Sequence, residues 1–236
     1  AWHSGGREET LAPLHADLRE ELEDLAPVHL AQITDRMLEG VKLNDFQPEA
    51  EIRTNRATVK FPKPGGTLVL DLARQERSES RWVVRDASVY STRGGDPVSA
   101  SHLASCLGPA TKFLRAYAEG DKDTLSSLTS QAFYRQALAP ADLKSVHLPI
   151  PQLLATRFDL EEHDHHVDLL FSVGEDTYLV SMTRERRTEP VLGTAKEPEL
   201  PCRVTEVTVY ERGGAQIKPL SVVFTAQAVV DLFAES

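Results

Sequence analysis

The spacing of hydrophobic residues predicts two helices and then a small antiparallel sheet in the first half of the chain. Leucines recur three or four positions apart from Leu11 to Leu25, which is the period of one helix face. Pro27 can open a second helix, and Gly40 weakens its end. Three runs of extended character follow at residues 51–61, 67–75 and 81–91. Short polar turns join these runs, which indicates an antiparallel meander.

The second half repeats this order of helices and strands. Residues 99–119 return to helical spacing, although Pro109 predicts a break or a fresh helix start there. The sequence AEGDKDTLSSL then supplies a glycine stop and a cap at Asp121 or Asp123 for the next helix. Strand-like runs follow at residues 157–173, 177–186 and 203–214. The chain ends in a strand-like start that runs into a terminal helix.

The two strand blocks also look like copies of each other. A shift of 110 positions places Phe61 on Phe171 and Arg74 on Arg184. A shift of 120 aligns the last strand of each block, and a longer loop in the second block absorbs the difference. We therefore predict an α+β fold of two tandem domains, each with N-terminal helices packed on a curved antiparallel sheet. Their predicted ranges are residues 1–98 and 99–236.

The stretch FLRAYAEGDKDTLSSLTSQAFYRQ, residues 113–136, resembles the opening of nuclear transport factor 2-like domains. The resemblance implies a second helix after the Gly-Asp turn and then a curved sheet that wraps into a cone. The first half lacks the Gly-Asp turn, so it is similar to a reduced, cystatin-like copy. Such cones host isomerases, dehydratases, ligand binders and interaction modules, so the fold alone selects no function. The resemblance also favours self-association into a homodimer.

Charge and composition reduce the number of partner classes that the chain is expected to bind. The formal net charge is -10 and the pI is near 5.3, which argues against nucleic-acid binding. No apolar run approaches the roughly 20 residues that span a bilayer. The chain starts with AWHSGG, so an exported and a cytoplasmic location are both open. Whether Cys106 and Cys202 pair is also open, because sequence does not place their Cα atoms. No motif indicates a cofactor.

The run EEHDHHVDLL holds the densest group of histidines. If residues 157–173 form one strand, then Glu161, His163 and His165 share a face with Val167. On that interpretation they are candidates for ligand binding, and His163 and His165 are candidates for acid–base catalysis. The two histidines could also bind one zinc ion, with a third ligand such as His102 or His147. The simpler interpretation is the solvated polar end of a strand.

Four other side chains are weaker candidates for a ligand site. Phenols could project into a pocket from Tyr117, Tyr134 and Tyr178, and Tyr178 is also a catalytic candidate. Arg184 belongs to a small basic cluster that could bind an anion. Neither a nucleophile elbow nor a phosphate-binding glycine loop is present.

The sequence favours a non-enzymatic module that binds a small apolar ligand or a protein partner. One alternative is a small-molecule lyase or isomerase that uses His163 or His165 as the general base. The other alternative is a zinc-binding module.

Overall fold

The computed structural model describes residues 7–41, 49–75, 81–95, 97–163, 166–184 and 202–234. The chain forms two compact units, unit 1 over Ala1–Ala104 and unit 2 over Ser105–Ser236. Each unit combines helices with a five-stranded antiparallel sheet. The predicted α+β fold of two tandem domains is therefore confirmed. The unit boundary lies inside a helix, six positions beyond the predicted boundary at residue 98.

Unit 1 starts with helices α1 (Arg7–Leu11), α2 (Ala16–Glu23) and α3 (Pro27–Leu38). Its sheet has the order β1 (Glu49–Ile52), β2 (Arg56–Lys63), β3 (Gly66–Gln75), β4 (Arg81–Ser91) and β5 (Val98–Ser99). The predicted leucine stripe of the helices is buried, from Leu11 to Leu25. The predicted strands at residues 67–75 and 81–91 are β3 and β4. The prediction of one strand over residues 51–61 is wrong, because the chain turns back at residues 53–55 and the two sides pair as β1 and β2.

Helix α4 (Ala100–Glu119) crosses the unit boundary and continues through Pro109, so the predicted helix break is wrong. Burial of Leu107, Phe113 and Leu114 along one side of α4 outweighs the local cost of the proline. The helix ends at Gly120, which has a φ of 72°. As predicted, Asp121 caps the next helix, since its carboxylate accepts a hydrogen bond from the Thr124 backbone N–H at 3.1 Å.

The helices of unit 2 after α4 are short. They are α5 (Lys122–Leu128), α6 (Gln131–Phe133) with a π-helical turn at Tyr134–Leu138, and α7 (Ile150–Ala155). The sheet contains β6 (Phe158–His163), β7 (His166–Val173), β8 (Asp176–Arg184), β9 (Cys202–Glu211) and β10 (Gln216–Pro219), paired in that order. Helix α8 (Leu220–Ala234) follows and packs against β9 and the π-helical turn.

Internal details of the two units agree beyond the order of their elements. The register of each sheet shifts at one β-bulge, at Asp71/Leu72 in unit 1 and at Ser181/Met182 in unit 2, which are 110 positions apart. An isolated parallel bridge joins Leu14 to Val84 in unit 1 and Thr129 to Val204 in unit 2. Val84 and Val204 are 120 positions apart. The predicted shifts therefore align equivalent structural positions.

Each sheet also caps the helix that follows it through a carboxylate beside the bulge. Asp86 Oδ1 accepts hydrogen bonds from the backbone N–H of Ala87 at 2.9 Å and of Ser101 at 3.1 Å. In unit 2, Glu206 Oε1 accepts from the N–H of Val207 at 2.9 Å and of Ser221 at 3.2 Å. By this measure α8 occupies the position in unit 2 that α4 occupies in unit 1.

Candidate functional sites

The histidine run forms a hairpin, so the prediction of one continuous strand is wrong. Strands β6 and β7 pair from Phe158↔Phe171 to His163↔His166. Phe158 and Phe171 are both buried and face each other in this pairing. In one continuous strand they would lie on opposite faces, because they are an odd number of positions apart. The pairing places Glu162, instead of Glu161, on the face of buried Val167.

The hairpin places Glu161 away from the buried face of Val167. Glu161 is exposed and pairs with Asp168 on the opposite face of the sheet. Position 163 pairs with position 166, which is the pair nearest the connection between the two strands, and His165 lies outside the described residues. Within the described ranges, no three histidine, cysteine or carboxylate side chains lie close enough together to hold a metal ion.

The three candidate tyrosines lie at separate places in unit 2. Tyr117 is buried, its hydroxyl donates to the Val146 carbonyl at 2.9 Å, and its ring centroid lies 6.1 Å from that of Phe113. Burial raises the pKa of Tyr117 above its usual value, and the carboxylate of Asp142 adds to this effect. Tyr117 is therefore a core residue whose hydroxyl is satisfied by the backbone.

Tyr178 is also buried, in the middle of the sheet of unit 2 opposite Phe171. Burial raises its pKa, and the negative charges of Asp176 and Glu211 act in the same direction. A tyrosine held neutral in this way is a poor general base near neutral pH. Tyr134 lies in the π-helical turn and is partly exposed.

Among the predicted site residues whose side chains the structure describes, Arg184 is the one that lies beside a thiol. Its Nη2 atom lies 3.6 Å from Cys106 Sγ and 3.5 Å from Glu162 Oε1. Cys106 belongs to α4, and Cys202 opens β9 at the position paired with Arg184. The Sγ atoms of Cys106 and Cys202 are 3.4 Å apart, and neither cysteine is in a disulfide bond. We call these two cysteines the thiol pair.

The thiol pair is buried but electrostatically favourable for ionisation. Cys106 is 0% exposed and Cys202 is 2% exposed. The hydrogen bond from Cys106 lowers the pKa of Cys202 to about 7, because together with the Arg184 guanidinium it outweighs the opposite effect of burial. A thiolate is accordingly accessible at neutral pH. The sequence predicted Arg184 as a candidate for anion binding and left the pairing of the two cysteines open. It did not connect them, because no spacing rule relates residues so far apart in the chain.

A second feature is an incompletely covered sheet face in unit 1. Register places several apolar side chains on one face of this sheet, and three of them, Ala57, Leu68 and Ala87, are buried. We call the remaining, incompletely covered part the open face, which consists of Val59, Phe61, Leu70, Leu72, Trp82, Val84 and Val89. All seven are at least partly exposed, and Trp82 is 36% exposed. Their equivalents in unit 2 are all buried: Leu169, Phe171, Val180, Met182, Cys202, Val204 and Val209.

The difference between the two faces coincides with α4. In unit 2 the part of α4 that starts at Ser105 packs against the sheet, as the contact of Cys106 with Cys202 shows. Cys202 is the equivalent of Trp82 by the 120 shift. Leu14 and Thr129 are equivalent through their bridges to Val84 and Val204, and by this equivalence α1 begins where α5 begins in unit 2. In the described part of residues 7–104, the helices ahead of the strands are α1, α2 and α3, and none of them corresponds to the part of α4 that lies in unit 2.

Helix α8 is a second apolar surface that its own unit covers incompletely. Its sequence LSVVFTAQAVVDLFA contains one charged residue, Asp231. Among its described side chains, only Leu220 and Phe224 are buried, and Val222 and Val230 are 61% and 60% exposed. None of the described helices is both long and apolar enough to cross a membrane. Exposed apolar surface of this kind is typical of a protein-interaction site.

Comparison of the chain with protein-family models, with curated proteins and with solved structures gave no match in any of the three searches.

Proposed function

We propose that the chain is a self-associating interaction module in which α8 of one copy packs on the open face of unit 1 of another copy. The observation that carries the proposal is the different burial of equivalent residues in the two sheets. Where α4 covers the sheet of unit 2, Val180 and Met182 are fully buried, whereas Leu70 and Leu72 in unit 1 are not.

The equivalence of α4 and α8 indicates which element fits the open face. Both helices follow the last strand of a sheet, and in both a carboxylate beside the bulge binds the backbone N–H of the second residue, Ser101 or Ser221. The proximal part of α4 belongs to one unit and its distal part to the next. In the same way, α8 can use Leu220 and Phe224 within its own unit and offer its distal part to another sheet.

Apolar burial supplies the driving force for this association. Burying a valine or leucine side chain contributes roughly 1.5 kcal/mol or more, and a partly exposed tryptophan contributes a comparable amount. Six of the seven residues of the open face are already more than half buried within their own unit, so each adds only the part of this amount that belongs to its exposed surface. The exposed valines of α8 add their own burial, and the total must also offset the entropic cost of association. The proposal also agrees with the homodimer that the nuclear transport factor 2-like resemblance favours. That resemblance stays a prediction.

Sedimentation of the full chain over a wide range of concentrations tests the proposal. We expect concentration-dependent dimers or larger assemblies, together with a shift of tryptophan emission to shorter wavelength as Trp82 becomes buried. Val230→Asp places a charge on the proposed contact and is expected to weaken association by about tenfold or more. Trp82→Glu is expected to act in the same way from the other side of the interface.

Ile217→Asp is the matched control, because Ile217 is 61% exposed, similar to Val230, but lies on β10 instead of α8. This variant should associate like the unmodified chain. A chain that remains monomeric at all concentrations contradicts the proposal, as does equal weakening by Val230→Asp and Ile217→Asp. A monomer that carries an organic molecule in native mass spectrometry would instead favour an apolar ligand on the open face.

A further inference from the structure

The thiol pair is a second site, independent of the proposed interaction surface. Two sulfur atoms 3.4 Å apart are in van der Waals contact, so a small rotation of either side chain brings them to bonding distance. The pair joins the middle of α4 to the first residue of β9. The side chain of Arg184 contacts Cys106 and is itself 28% exposed. Only this side chain therefore separates Cys106 Sγ from solvent on that side.

We propose that Cys106 and Cys202 are a redox-active dithiol that a hydroperoxide oxidises to a disulfide between α4 and β9. A hydroperoxide is the oxidant that the burial favours, because a bulky disulfide such as oxidised glutathione needs more room at the sulfur atom than a residue 2% exposed offers.

The first step is attack of the Cys202 thiolate on one peroxide oxygen. The S–O bond forms, the O–O bond breaks, and the leaving oxygen takes a proton to give water or an alcohol. The sulfur is then a sulfenic acid. Arg184 holds the negative charge of the thiolate before the attack, and its other neighbour, Glu162, keeps the guanidinium in place at 3.5 Å.

The second step is attack of Cys106 on the sulfur of the sulfenic acid. The S–S bond forms, the S–O bond breaks, and the departing hydroxide combines with the proton of Cys106 to give water. In total the two thiols lose two electrons and two protons, and the hydroperoxide is reduced. The nearby second sulfur also explains how overoxidation of Cys202 is avoided, because the sulfenic acid is trapped within the same site.

The disulfide is expected to stabilise unit 2. It closes a loop between residues 96 positions apart, and long loops lose the most entropy in the unfolded chain when they are closed. For a unit of this size, we expect the melting temperature to rise by roughly 5–15 °C on oxidation. Oxidation thus fastens the first helix of unit 2 to its sheet.

The test uses the full chain, fully reduced and then exposed to hydrogen peroxide at neutral pH. After denaturation the remaining thiols are alkylated and the intact mass is measured. We expect a mass lower by two hydrogen atoms, no alkylation, and a peptide that links Cys106 to Cys202 within one chain. Two thiols that remain alkylatable after excess peroxide would overturn the proposal. Oxygenated but unlinked cysteines, or a link between two chains, would overturn it equally.

Two variants test the roles of the individual residues. Cys106→Ser keeps a hydroxyl donor beside Cys202 and should accumulate a sulfenic acid on Cys202 that dimedone traps. Cys106→Ala should do so only at higher pH, because it removes the donor that lowers the pKa of Cys202. Arg184→Gln should slow thiol oxidation by about tenfold near pH 7 and recover at higher pH, where the thiolate forms without the guanidinium. Arg203→Gln is the matched control, because Arg203 is adjacent to Cys202 in sequence but donates to the Ser127 carbonyl at 2.9 Å. An unchanged rate and pH profile for Arg184→Gln would remove Arg184 from the site.

Discussion

Replacing Asp86 by alanine should destabilise unit 1 by about 2 kcal/mol, because two backbone N–H groups lose their acceptor. One group belongs to Ala87 beside the bulge, and the other belongs to Ser101 in the first turn of α4. Asp86 is 9% exposed, so water replaces the carboxylate incompletely. Loss of a helix cap alone costs about 1 kcal/mol, and a poorly satisfied buried donor adds about 1 kcal/mol or more.

Urea denaturation followed by tryptophan fluorescence measures this loss for unit 1. Both tryptophans, Trp2 and Trp82, lie within residues 1–104, so their emission follows the unit that contains Asp86. With a slope of about 1–1.5 kcal/mol per molar urea, the midpoint should fall by roughly 1.5 M. Asp86→Asn keeps one acceptor oxygen and should lose less than half as much.

Asp71→Ala is the control for loss of a carboxylate at the same bulge. Asp71 pairs with Asp86 across the strands, but its side chain is 42% exposed and its oxygen lies 3.8 Å from Arg85. A surface ion pair of this kind contributes about 0.5 kcal/mol or less. If Asp86→Ala and Asp71→Ala shift the midpoint equally, the cap does not stabilise α4 and our interpretation of the shared carboxylate is refuted.

Three further substitutions test the packing. Gly66→Ala should destabilise unit 1 in the same urea assay, because a Cβ atom there would lie 2.3 Å from the Tyr90 carbonyl oxygen. Gly108→Ala should instead stabilise α4 by about 0.5–1 kcal/mol, since no atom beyond the adjacent residues and backbone of the helix itself lies within 4 Å of the added carbon, and a lower melting temperature would contradict this. Tyr117→Phe should cost about 1 kcal/mol at pH 8 through loss of the bond to Val146. The raised pKa of Tyr117 means that ionisation favours the unfolded chain above pH 10, so the stability of the unmodified chain should fall there more steeply than that of Tyr117→Phe in circular dichroism melts.

Local features of the sequence were sufficient for most of the fold. The leucine stripe from Leu11, the Gly120 stop and the Asp121 cap act within one or two turns of chain, so their effects can be predicted without knowledge of distant residues. The 110 and 120 shifts were also visible in the sequence, and they align both β-bulges and both helix-capping carboxylates of the structure.

The hairpin at the histidine run shows where local pattern was insufficient. Alternation of apolar and polar residues is the same for one long strand and for two short strands joined by a tight turn. Only the pairing of Phe158 with Phe171 distinguishes them, and that pairing exchanges the faces of Glu161 and Glu162. The assignment of Glu161 to the face of Val167 was therefore wrong, whereas His165 lies outside the described residues.

The sequence by itself determined the type and order of the elements, because helix and strand periods are set by backbone geometry over a few residues. Tertiary structure alone decided which faces are covered. Leu72 and Met182 occupy equivalent strand positions, yet only Met182 is buried. Tertiary structure also brought Cys106 to Cys202, because a contact between residues 96 positions apart follows from packing a helix on a sheet and from no local rule.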